Sequence, residues 1–232
     1  MTARQYLETF DDGPGGWYGW ISNAGGPKPL EWEPGRLTSR SPWWIDYNHA
    51  PPGAGYMHMV YSMSTQGPQG EVYQETGGKN QFVAEGLPMD FTGARLTASL
   101  SGQLQALDSR LMLLIQGRVE GITSGWLCSG QPFEVGEHES EQSIILDPDP
   151  AGWTALGVRH DRGDMYGEKP LEQVLANVDV NIMLVLFPLD VAPMGPLEGD
   201  PHVLRPERDY PVWRHRLPEG YVSLSRVQVD FD

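Results

Sequence analysis

Cysteine is almost missing from this chain. Cys128 is the single thiol in 232 residues, so no intrachain disulfide can brace the fold and stability must come from a buried core. A lone cysteine fits a reducing compartment. Basic residues are scarce as well: 16 Lys and Arg stand against 31 Asp and Glu, for a formal net charge of −15. That imbalance argues against nucleic acid, whose phosphates call for Lys and Arg, and against anionic membrane surfaces. No apolar run approaches membrane-spanning length. The opening MTARQYLETF lacks the apolar segment of a secretory leader. Together these absences predict a cytoplasmic protein with no nucleic-acid or membrane partner, suited to a neutral small molecule or carbohydrate.

Turn residues are plentiful. The 28 Gly and 20 Pro are scattered as punctuation between short apolar runs and form no linker, the distribution expected of many strands and turns. GARLTASLSG alternates, with Ala94, Leu96, Ala98 and Leu100 on one face and Arg95, Thr97 and Ser99 on the other. GYMHMVYSM also alternates, placing Tyr56, His58, Val60 and Ser62 opposite Met57, Met59, Tyr61 and Met63. RLMLLIQGRV and VNIMLVLFPL are continuously apolar, as in strands covered on both faces. YVSLSRVQVDFD reads as a closing strand with a bulge. One helix is predicted near 170–177, where Pro170 opens a turn and Leu171, Val174 and Leu175 recur at helical spacing. The stretch at about 194–217, rich in Pro and charge, reads as an irregular arm. The expected architecture is all-β, two stacked antiparallel sheets with one short helix, in a single domain over residues 1–232.

The order of motifs resembles a known family. ETFDDGPGGWYGW is followed by SRSPWWIDYNHAPPGAGYMHMVYSM, FTGARLTASLSG, QSIILDPDPAGWTALG, PLEQVLANVDVNIMLVL and a closing YVSLSRVQVDFD. This series is similar to the laminin-B-type and carbohydrate-binding-module-type jelly rolls of the concanavalin-A-like class, over roughly Phe10 to Val229. The motifs are mainly structural positions, and the arm at 194–217 departs from the family pattern. The resemblance implies a jelly-roll sandwich and, with less force, carbohydrate recognition. These modules often bind calcium near the first and last strands. That implies a structural calcium ion, with Asp11 and Asp230 as ligands and Asp12 and Asp232 nearby, or no cofactor at all. Arg226 argues against a cation there, and Asp-Asp-Gly suits a plain turn.

SPWWIDYNHAPPG concentrates rings and hydrogen-bonding groups beside a stiff turn. Trp43, Trp44, Asp46, Tyr47, Asn48 and His49 are expected to line a ligand cleft, because sugars offer C–H faces to rings and hydroxyls to planar polar groups. Adjacent strand residues face opposite ways, so at least one of Trp43 and Trp44 belongs to the core. A second set comprises His58, Tyr73, Glu71 and Arg118, with Arg110, Gln116 and Glu120 as further members. If they converge, His58 or Tyr73 could act as base, Glu71 as acid, and Arg118 could steady a carboxylate. The competing view is a solvated face with ordinary ion pairs. His58 is expected to face the cleft, since three methionines make the opposite face more apolar. GVRHDRGDMYGE has no second imidazole for a metal and reads as a loop, and Cys128 has no local histidine to activate it.

Three functions remain open. The leading one is a carbohydrate-binding jelly roll. The second is a lyase, isomerase or hydrolase on the same scaffold using general acid–base chemistry on a small hydroxylated substrate. The third is an interaction protein whose 194–217 arm docks a partner or a second copy of the chain.

Overall fold

A computed structural model of the chain describes residues 5–22, 25–46, 56–66, 74–157, 165–199, 207 and 209–231. One sheet holds β1 (Gln5–Glu8), β4 (Glu31–Glu33), β5 (Arg36–Arg40), β8 (Arg95–Gln105), β11 (Ser140–Ile145) and β16 (Glu219–Asp230). Its order is β11-β8-β16-β5-β4, with β1 on the last residues of β16. The larger sheet holds β2 (Trp17–Ser22), β3 (Gly26–Lys28), β6 (Trp44–Asp46), β7 (Tyr56–Ser64), β9 (Arg110–Val119), β10 (Ile122–Leu127), β12 (Thr154–Ala155) and β13 (Asn181–Leu189). Its order is β12-β10-β9-β13-β7-β2-β3, with β6 also on β7. The pairings in both sheets are antiparallel. The protein is therefore an all-β sandwich. The expected helix is α3 (Leu171–Leu175), and two further short helices, α1 (Gln74–Gly77) and α2 (Gln81–Ala84), were not anticipated from the sequence pattern.

The core lies between the sheets. Leu96, Ala98 and Leu100 of β8 point into it, as their alternation predicts. On β16 the inward residues change phase, from Val222 and Leu224 to Val227 and Val229. A register shift between Leu224 and Arg226 accounts for the change. The hydroxyl of Tyr61, fully buried on β7, donates to the carbonyls of Leu37 and Val222 and so ties the two sheets together. α3 buries Leu171, Val174 and Leu175. Gly117 on β9 permits this approach, because a Cβ there would stand 2.1 Å from the Asn177 carbonyl oxygen.

The large sheet is apolar on its outer face as well. Met57, Met59, Met112, Leu114, Leu127, Met183 and Val185 form a second buried cluster there, in keeping with the continuous apolar runs of β9 and β13. The expected arm is not irregular throughout. Its base is a two-stranded ladder of β14 (Val191–Pro193) and β15 (Val212–Arg214), while 200–206 and 208 lie outside the described residues.

The expected facing of β7 is reversed at His58. Its partners on β13 run Met63–Ile182, Tyr61–Leu184, then Met59–Val185 and His58–Leu186, with a register shift between Leu184 and Val185. Ile182, Leu184 and Leu186 belong to the inter-sheet core. Met63, Tyr61 and His58 thus share the inward face, while Ser62, Met59 and Met57 share the outer one. One extra residue at Val60 breaks the alternation that the sequence suggested.

Candidate functional site

His58, the first expected acid or base, is only 2% exposed and packs against Trp43, with ring centroids 5.8 Å apart. Neither ring nitrogen has a hydrogen-bond partner. Burial pushes its pKa down to about 4; the backbone of Trp44 and Trp43 pulls the other way without making a hydrogen bond of ordinary geometry. The imidazole is neutral at physiological pH and out of reach of a ligand on the outer face. Trp43 is also core, its indole Nε1 donating to Ser39 Oγ at 2.9 Å across the sandwich.

Trp44 takes the opposite side. It pairs with Met59, and Asp46 pairs with Met57, both outer-face residues; Trp44 is half-buried and Asp46 is buried. Arg118 is exposed on the outer face, its guanidinium 3.6 Å from Asp179, which also accepts the Arg118 backbone N–H at 2.7 Å. Tyr47, Asn48, His49, Glu71 and Tyr73 lie outside the described residues. Asp11 and Asp230 are not brought together. Asp230 sits opposite Gln5 at one end of β1, whereas Asp11 lies beyond the other end, beside Gly35. Asp230 accepts from Gln5 and Gln228, and Asp11 from Thr9. No group of three or more His, Cys, Asp or Glu among the described residues could hold a metal.

What the outer face does gather is a neutral polar row. Gln116 on β9, Asn181 on β13 and Ser64 on β7 are successive cross-strand partners. The adjacent row runs Leu114, Met183, Ser62 and Tyr18. Tyr18 and Ser64 share a hydroxyl–hydroxyl bond of 3.0 Å, and Trp20 Nε1 donates to Ser62 Oγ at 2.9 Å. Trp20 in turn meets Tyr18 edge-on at 5.8 Å and Trp44 at 6.1 Å, measured between ring centroids. Trp20 and Trp44 are half-buried, so each keeps ring surface accessible. Asn181 is 9% exposed, and its Oδ1 has no hydrogen-bond partner. A buried amide oxygen left unpaired costs about 1–3 kcal/mol, a cost that an ordered water or a ligand hydroxyl would relieve.

The row therefore offers rings, hydroxyls, two amides and one unpaired acceptor, which is buried. That equipment can hold hydroxyl groups and pack against C–H faces. Trp20, Tyr18, Ser64 and Asn181 were not singled out from sequence. The usable signals were the alternation of WYGW and the polar residue heading the apolar run NIMLVLFPL.

No family model matches this chain, and no curated protein matches it in sequence. Among solved structures, the L4b domain of human laminin alpha-2 is similar, at 8% identity and a TM-score of 0.39, over 98% of each chain. No helix among the described residues is long and apolar enough to cross a membrane.

Proposed function

We propose that this protein is a carbohydrate-binding sandwich of the laminin-B and carbohydrate-binding-module type, which holds a neutral sugar or glycoside on the outer face of its large sheet. The observation that carries this reading is the unpaired, nine-tenths buried Oδ1 of Asn181, set in a row with Gln116 and Ser64 and bordered by Trp20 and Trp44. A sugar hydroxyl supplies the missing donor, and the indoles supply apolar surface for its C–H faces. Binding is favoured over acid–base catalysis because His58 is sequestered in the core and Arg118 is opposed by Asp179.

A glycan array probed with the wild-type protein, Trp20→Ala and Asn181→Ala tests this proposal. At least one neutral glycan should be retained, and each substitution should weaken it by about five- to tenfold, the effect of one good hydrogen bond or ring contact. Retention of no glycan, or equal binding by both folded variants, would overturn it.

A further inference from the structure

We infer that a separate cavity of about 470 Å³, between β10, α3 and the turn at Pro150–Gly152, binds a small organic cation: an ammonium carried on an apolar body. Its walls include Trp126, Pro148, Pro150 and Leu171, and its charged lining includes Glu168 and Glu172. The volume falls within the usual range for small-molecule sites.

The walls are built to stay in place. Trp126 is 8% exposed, and its Nε1 donates to the Lys169 carbonyl at 3.0 Å, so the polar edge of the indole is satisfied. Asp149, between the two prolines, caps the short turn by accepting from the Ala151 N–H at 3.0 Å. Leu171 and the rest of the buried face of α3 are anchored in the core. Rigid apolar walls lower the entropy cost of capturing a ligand.

Charge selects the occupant. Lys169, the cationic lining residue, is already engaged: its Nζ lies 2.7 Å from Glu120 Oε2. That pairing holds the Glu120 carboxyl below the usual range. Glu120 is not among the lining residues. Glu168 and Glu172 have no ion pair among the described residues. An indole and proline hollow with two carboxylates unpaired among the described residues complements a cation with an apolar body. The carboxylates attract the charge, and the indole and proline walls pack against the apolar body. An anion of the same shape is repelled, and a neutral analogue gains only the walls.

Isothermal titration at pH 7 with cyclohexylammonium, cyclohexanol and cyclohexanecarboxylate tests this inference. The ammonium should bind saturably and tightest, and the carboxylate weakest. Substituting Glu168→Gln and Glu172→Gln together should weaken the ammonium roughly two- to tenfold, the effect of two exposed charges, and bring it near cyclohexanol. Glu33→Gln, on the other sheet, should change nothing. Equal affinities for the three probes, no saturable ammonium binding, or an unchanged affinity in the folded double variant would overturn it. Because these probes carry no sugar, the result stands apart from the glycan test.

Discussion

The imidazole of His58 packs 5.8 Å from the indole of Trp43, both rings buried between the sheets and the imidazole without a hydrogen-bond partner on either nitrogen. A buried imidazole in this setting is tolerated only while neutral.

The pH dependence follows. The folded-state pKa of His58 is depressed from 6.5 to about 4, so unfolded chains take up this proton as pH falls below 6.5 while folded ones resist until about 4. Stability is complete above pH 6.5 and is lost as pH falls through that window, by on the order of 3 kcal/mol in full. Denaturant titrations of wild type and His58→Leu between pH 7.5 and 4.5 check this. The difference in stability between the two should shift in favour of the variant as pH falls, and a constant difference would refute the assignment.

The adjacent tryptophans should separate in their effects. Trp43→Ala removes a core ring that also bonds Ser39, and it should cost about 3–5 kcal/mol. Trp44→Ala removes a half-buried ring on the outer face. It should cost clearly less and weaken glycan binding. Parallel denaturation and binding measurements on the two variants decide this. Similar stability losses would mean that the two rings share one environment.

Gly117 is a spacer. A Cβ there would overlap the Asn177 carbonyl oxygen at 2.1 Å, so Gly117→Ala must push α3 away from β9. The expected loss is roughly 1–3 kcal/mol, typical of overpacking, measured by urea unfolding with an unchanged m-value. A neutral or stabilising result would show that the α3 connection yields freely.

Asn181 should trade stability for binding. Asn181→Leu removes a buried, unpaired acceptor and keeps similar volume, so it should raise stability by about 1 kcal/mol while weakening glycan binding by about five- to tenfold. A destabilised variant would mean that the amide is satisfied in solution.

Much of the sandwich was legible because its patterns are local. The alternation of β8, the apolar runs of β9 and β13, and the helical spacing at Leu171, Val174 and Leu175 each carry their meaning within about ten residues. The facing of His58 was not legible. It depends on one unpaired residue at Val60, and a bulge is set by the partner strand β13, over a hundred positions away. Nor was the polar row. Tyr18, Ser64, Gln116 and Asn181 come from four strands whose adjacency is fixed by sheet order. The placement of Asp11 and Asp230 was not legible either: β1 runs antiparallel to β16, which sets Asp230 opposite Gln5 and Asp11 beyond the other end of β1.

Glycan recognition on the outer face is tested by a crystal structure of the protein soaked with its best-bound neutral glycan. A sugar hydroxyl is expected about 3 Å from Asn181 Oδ1, at hydrogen-bond distance, with a C–H face on Trp20 or Trp44. A glycan bound only elsewhere, with Asn181 Oδ1 still unpaired, would contradict it.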